Sequence, residues 1–266
     1  MKNRIIVCGY PKSGNTWLTQ LTAEIVGCPA RGFWCQPLNK DGVVEGLDRE
    51  SDFECFKAHH TFEQMAHTLG IYGNGSEKLI YILRDPRSVI VSASYYFDFG
   101  PKHQRLHNLL VRFPGGDHLS RKWLYPRKFK LDFMTRGLIE GIPNRGWLKT
   151  PWQDHVLGYQ KKDDILVVQY ETLLTDPLTV TRKMADFLSV ERTDAALKRA
   201  VEKQSFAEKK KILQAERGPE EARFLRSGRV DDWRTELSVE NLELVEGRIG
   251  DFMRSLGYEP SRALCD

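Results

Sequence analysis

Four consecutive apolar positions, Ile5 to Cys8, predict a short buried strand. Gly9 to Gly14 breaks that run with glycine, proline and serine, the chemistry of a turn. From Asn15 to Val26 the positions Trp17, Leu18, Leu21 and Ile25 recur near helical spacing and predict a helix. Gly27 to Ser51 has no period and reads as irregular. Within it, the stretch from Cys28 to Cys35 either lines a pocket with Phe33 and Trp34 or is a surface loop with aromatic anchors. Phe53 to His60 reads as a second strand, with Phe53, Cys55, Lys57 and His59 on one face and His60 on the other. Glu77 to Arg84 has the near-continuous apolar run of a buried parallel strand. Pro86 suits the first position of a helix running through Phe97. Later come a helix from Thr150 to Tyr159, a strand from Asp164 to Tyr170, and amphipathic helices from Asp176 to about Leu188 and from Thr193 to Gln204. Glu208 to Arg226 is highly charged and expected to be a mobile loop, and Val239 to Leu256 reads as a closing helix.

Strands alternating with helices predict an α/β fold: a mostly parallel sheet flanked by helices, P-loop-like, in a single domain over 1–266. The 41% hydrophobic content fills a sizeable core. Five cysteines at irregular spacings, with no C-x-x-C pair and no histidine cluster at zinc spacing, read as reduced thiols and predict no metal. A net charge of +4 is too small to imply nucleic acid. No apolar run approaches a membrane span, so the expectation is a cytoplasmic protein with no membrane partner. Charge is uneven. Lys102 to Lys149 holds eleven Lys/Arg against three Asp/Glu, inside a segment of about 98–150 that is the least regular part of the chain. That basic stretch either attracts an anionic ligand or acidic partner, or is a solvated face. Its interleaved aromatics, Phe99 to Phe133, include candidates for lining an acceptor pocket.

Strand, glycine loop and helix is the geometry that cradles phosphate, because loop amides converge and the helix N-terminus is partly positive. The loop is close to a Walker A motif, G-x-x-x-x-G-K-[ST]. Gly9, Gly14 and Thr16 are in place, but Asn15 stands at the lysine position and a lysine lies inside the loop at Lys12. The run Tyr-Pro-Lys-Ser-Gly-Asn-Thr-Trp17 resembles the 5′-phosphosulfate loop of the sulfotransferases. Those enzymes take their sulfuryl group from 3′-phosphoadenosine 5′-phosphosulfate (PAPS) and release 3′-phosphoadenosine 5′-phosphate (PAP).

Further motifs in the correct order carry the same resemblance, from about Arg4 to Arg234. Lys57-Ala-His-His-Thr61 resembles the family's Lys-Thr-His-Leu-Pro strand, which implies His59 as general base and Lys57 at the sulfuryl oxygens. Arg84 and Ser92 match the residues that clamp the 3′-phosphate. Thr150 to Tyr159 is similar to a Trp-x-x-His-Val-x-x-Tyr stretch, in which His155 reads as a packing or hydrogen-bonding residue. Tyr170, Ser205 and Phe206 match adenine contacts, and Trp17 the adenine stack. Arg226-Ser-Gly228 resembles the Arg-Lys-Gly of a closing basic loop, here about 208–234, with Ser227 in place of lysine. Arg234 to Glu243 loosely resembles the family's dimerisation segment, implying a possible homodimer.

The resemblance implies a PAPS-dependent sulfotransferase with Lys12, Ser13, Gly14, Asn15, Thr16 and Trp17 holding the donor. Lys12 and the loop amides would stabilise the leaving phosphate, with no metal. The acceptor is a small molecule with a hydroxyl or amine, its identity open, and whether His60 shares the base role is open too. Two other classes fit the loop alone: a P-loop nucleotide kinase, which would bind Mg-ATP, and a non-catalytic nucleotide-binding protein, which would not need His59.

Overall fold

The run from Ile5 to Cys8 lies at the centre of a parallel sheet. The computed structural model describes residues 2–37, 43–97, 112, 126–160, 162–217 and 230–261. The chain divides into two compact units, residues 1–84 with 154–229, and residues 85–153 with 230–266.

The first unit carries the sheet. Its strands are β1 (Asn3–Gly9), β2 (Ala30–Phe33), β3 (Phe53–Ala58), β4 (Glu77–Leu83) and β5 (Ile165–Gln169). Their order is β2-β3-β1-β4-β5, and every pairing between them is parallel. After β1 the chain goes to the edge strand β2 and returns through β3 beside β1, then crosses to the other side at β4. The loop after β1 therefore sits at the switch point where open α/β sheets bind ligands. β2 corrects the expectation of an irregular Gly27–Ser51. It is a short edge strand whose register with β3 shifts between Ala30 and Phe33, too brief for alternation to reveal.

Helix α1 (Asn15–Val26) has the predicted bounds. It packs on the sheet face formed by Ile5, Val7, Cys55, Ile80 and Ile82, in one core with the helices Pro177–Phe187 and Asp194–Lys203. Alternation puts Ile6, Cys8 and Tyr81 on the opposite face. There Tyr81 stacks on Tyr159 of the helix Trp152–Gln160, ring centroids 4.4 Å apart. Helix α2 (Phe62–Tyr72) was not expected. Its start is a capping box, with the Thr61 hydroxyl accepting from Gln64 N–H and the Gln64 side chain accepting from Thr61 N–H. Tyr170, expected to end β5, instead opens the helix Tyr170–Thr175, and part of the expected mobile loop forms the helix Phe206–Arg217. Cys8, Cys28 and Cys55 are buried free thiols; burial pushes Cys8 and Cys28 up to about 12.

The second unit is helical in its described residues. Helix α3 (Pro86–Tyr96) begins with Asp85 as its cap and Pro86 in the first turn. The segment expected to be irregular at 98–150 contains a helix, Arg127–Glu140, and a single 3₁₀ turn, Gly146–Leu148, among its described residues. Leu131, Met134 and Leu138 form the buried stripe of that helix, which three basic residues in its first turns disguise. Ile142 packs directly over Gly137, where an added Cβ would lie 2.5 Å from its side chain.

The second unit is held by a buried ion network. Arg87 is 2% exposed and reaches Asp85 and Glu246 at 2.8 Å each. Its guanidinium also lies 3.8 Å from the Trp233 ring centroid. Glu246 in turn accepts the Ser261 backbone N–H at 2.9 Å. Removing one partner of such a network strands buried charge, at a cost of about 3–5 kcal/mol. Urea denaturation of Arg87→Leu is expected to give a loss of that order, and Glu246→Gln, which keeps a polar partner, a smaller one. A loss under about 1 kcal/mol for Arg87→Leu would show the network to be dispensable.

Candidate active site

Parallel register decides what meets at the end of the sheet. β1 and β3 pair through Cys8 and Ala58, so the next residues, Gly9 and His59, lie side by side. β1 and β4 pair Gly9 with Ile82, which brings Arg84 just beyond the loop. The loop must stay narrow here. A Cβ on Gly9 would lie 2.6 Å from Ile82 Cγ2, and one on Gly14 2.7 Å from the Tyr170 ring. Gly14 also has φ +102°, a conformation that disfavours any residue with a side chain.

Asn15, at the Walker lysine position, is a clamp. Its buried amide nitrogen donates to the Gly9 carbonyl at 2.8 Å and to the Ala58 carbonyl at 3.3 Å. One side chain thus joins the ends of β1 and β3 to the first turn of α1. The His59 Nδ1 lies 2.9 Å from the same Gly9 carbonyl and 3.1 Å from the Asn15 amide nitrogen. A carbonyl only accepts, so Nδ1 carries the proton and donates, and Nε2 is the unprotonated nitrogen. Burial, followed by the Lys57 ammonium, holds the His59 imidazole well below its ordinary value. It is neutral at pH 7.

Three cations converge on the loop. Lys57, 8% exposed, donates to Thr16 Oγ1 at 3.0 Å and lies 4.3 Å from the Phe33 ring centroid. The hydroxyl that a Walker A loop offers to Mg²⁺ is here engaged by an ammonium. Arg84 donates to the Lys12 carbonyl at 3.0 Å and stacks on Tyr170 at 4.1 Å. Lys12 has φ +72°. Burial, then the Lys57 and Arg84 charges, pull its ammonium down to about 7. Buried at this site, Ser13 Oγ and Arg84 Nε have no hydrogen-bond partner among the described residues, and neither has the acceptor Asn15 Oδ1. Among the described residues no side chain caps the N-terminus of α1. Unsatisfied donors, clustered cations and an open helix terminus together fit an anion with several oxygens.

The remaining predicted residues of the first unit lie nearby in the fold. Trp17 packs edge-on against Tyr170, ring centroids 5.7 Å apart, and its indole N–H donates to the Gln204 carbonyl at 2.8 Å. Ser205 accepts the Glu208 N–H at the start of the helix that Phe206 opens. The clamp by Asn15 and the seat of Lys57 on Phe33 were not foreseen. Phe33 had entered only as a pocket candidate, and a single asparagine carries no sequence signal of what it will bridge.

The sequence matches the Sulfotransferase domain family over residues 2–257. This chain belongs to the sulfotransferase family. It is 26% identical to cytosolic sulfotransferase 17 of Arabidopsis thaliana over 98% of its length and 77% of that protein. It is 27% identical to an amine sulfotransferase of Oryctolagus cuniculus, covering 90% of this chain and 77% of that one. Among solved structures it resembles mouse sulfotransferase SULT7A1 complexed with PAP, with TM-score 0.65 and 21% identity over 97% of this chain and 89% of that one. Retinol dehydratase in complex with androsterone and PAP gives TM-score 0.58 at 19% identity, over 94% and 80%. The protein is a PAPS-dependent sulfotransferase, and its fold is the sulfotransferase fold. Among the described residues no helix is long and apolar enough to cross a membrane.

Two parts of the expected donor site fall outside the first unit's described residues. Ser92 lies on α3 in the second unit, and Arg226, Ser227 and Gly228 lie outside the described residues. The loop itself yields a proton count. An anion bound beside Lys12 favours its ammonium, so binding raises the Lys12 value above about 7 and takes up a proton between the two values. Affinity for PAP is therefore expected to fall as pH rises through that window. Calorimetry at pH 8 in buffers of different ionisation enthalpy is expected to show uptake approaching one proton. Lys12→Met is expected to abolish the uptake, and equal uptake in both proteins would refute the assignment.

Proposed function

We propose that this sulfotransferase passes the sulfuryl group of PAPS to a hydroxyl or amine of a small polar acceptor, with His59 as general base. The observation that supports this reading is the His59 tautomer: with Nδ1–H on the Gly9 carbonyl, Nε2 is the unprotonated nitrogen, the form a general base needs. PAPS, when bound, supplies the electrophilic sulfur and the phosphate leaving group. Lys12, the amides from Ser13 to Trp17, and the positive end of α1 hold the 5′-phosphate and stabilise charge on it. Lys57 neutralises the sulfuryl oxygens. Arg84, with its fork partly open at Nε, takes the 3′-phosphate. Trp17, Tyr170, Ser205 and Phe206 hold the adenine. The names of the two relatives above support a cytoplasmic enzyme and admit an amine as well as a hydroxyl.

The engagement of Thr16 by Lys57 favours this reading over a nucleotide kinase, which needs that hydroxyl for its metal. The test is transfer of labelled sulfate from PAPS to a panel of alcohols, phenols and amines. His59→Ala is expected to lower kcat by about 10²–10⁴ while leaving PAP affinity near that of the wild type. Lys12→Ala is expected to lower both. Because His59 is held below the ordinary imidazole value of about 6.5, its contribution to the rate is expected to be lost on acidification below that pH. A wild-type rate in His59→Ala would sink the base assignment. Failure of PAP to bind the wild type would sink the donor site.

A further inference from the structure

β3 ends at Ala58, so the strand ladder no longer fixes the backbone of His59 and His60. Side chains from the helix Trp152–Gln160 do so instead. His155 is 1% exposed, and its Nε2 lies 3.3 Å from the His59 carbonyl. One turn along, the Tyr159 hydroxyl donates to the His60 carbonyl at 2.8 Å. The other nitrogen of His155, Nδ1, lies 2.9 Å from the Tyr81 hydroxyl. Since Nε2 must carry a proton to donate to a carbonyl, Nδ1 accepts the Tyr81 O–H. The Tyr81 oxygen itself takes a backbone hydrogen bond from Tyr10, the first residue of the loop after β1. The rings of Tyr10, Tyr81 and Tyr159 pack around the imidazole, with centroids 5.6, 5.8 and 5.6 Å away.

We propose that His155 is a positioning residue for the base: the buried chain Tyr10–Tyr81–His155–His59 fixes the backbone of His59 relative to the donor loop. The inference rests on the reading of His59 as base. The chain needs a neutral His155, since an imidazolium has no lone pair for Tyr81, and burial keeps that imidazole down at about 4. With His155 holding the carbonyl and Gly9 holding the ring, both the backbone and the side chain of His59 have defined partners. Small displacements of a reacting group cost large factors in rate, which is why such a tether matters.

The test is nitrogen NMR of the full chain labelled at histidine, with and without PAP, beside sulfate transfer. Wild type is expected to show protonated Nε2 at His155 and protonated Nδ1 at His59. In His155→Phe, which keeps a ring but no hydrogen bonds, the His59 Nε2 signal is expected to move toward the tautomer-averaged position. The same variant is expected to lose about tenfold or more in kcat, with PAP affinity within about twofold of wild type. His155→Gln, whose amide can both donate and accept, is expected to restore much of the His59 signal. Tyr81→Phe breaks the same chain without touching His155, so it serves if His155→Phe fails to fold. His59 signals that coincide with wild type in both broken variants would overturn the proposal, as would protonated Nδ1 at His155. A wild-type transfer rate in His59→Ala would instead overturn the base reading and leave the NMR result standing.

Discussion

The side-chain amide of Asn15 ties together the ends of two adjacent parallel strands, and the site depends on that tie. Gly9 and Ala58 are the last residues of β1 and β3, and both carbonyls accept from Asn15. By donating to both, Asn15 converts two frayed ends into a fixed edge. The loop departs from that edge, α1 begins at it, and the His59 ring is bonded to it. A lysine at the same position would bring a full charge, not a planar neutral amide, to the two carbonyls beside the imidazole. The departure from the Walker pattern therefore marks a different division of labour: asparagine organises the backbone, while the cations arrive from the loop, from β3 and from the end of β4.

Those cations raise the energy of the protein by itself. Lys12, Lys57 and Arg84 repel one another in a partly buried space, and Lys12 adopts a backbone conformation that costs a residue with a Cβ of order 1 kcal/mol or more. Features of this kind persist where function needs them, offset by packing elsewhere. The offset in the first unit is its continuous core, in which α1 and two later helices bury one face of the sheet and the Tyr81–Tyr159 stack fills the other.

Much of this was legible in the chain because the signals were local. The strand–loop–helix from Ile5 to Val26, the apolar run of β4 and the Pro86 helix start are each written in adjacent residues, and α1 has the expected bounds. The elements that escaped have physical excuses. β2 is four residues long at a sheet edge, α2 is announced by a capping box rather than by periodicity, and the Arg127–Glu140 helix hides its stripe among basic residues. Within the site, residue types pointed to Lys12, Lys57, His59 and Arg84. The bonds that orient them, from Asn15 to Ala58 and from His155 to His59, span 43 and 96 positions and exist only once the sheet has formed.

The depressed Lys12 has a chemical side as well as an electrostatic one. At neutral pH an ordinary lysine is almost wholly ammonium and inert toward electrophiles. A lysine held at about 7 spends roughly half its time as a free amine, with a lone pair to offer. Without an anion in the loop this side chain therefore has more amine character than an ordinary lysine. An anion in the loop restores the ammonium. The same residue thus records, in its proton count, whether the donor site is filled.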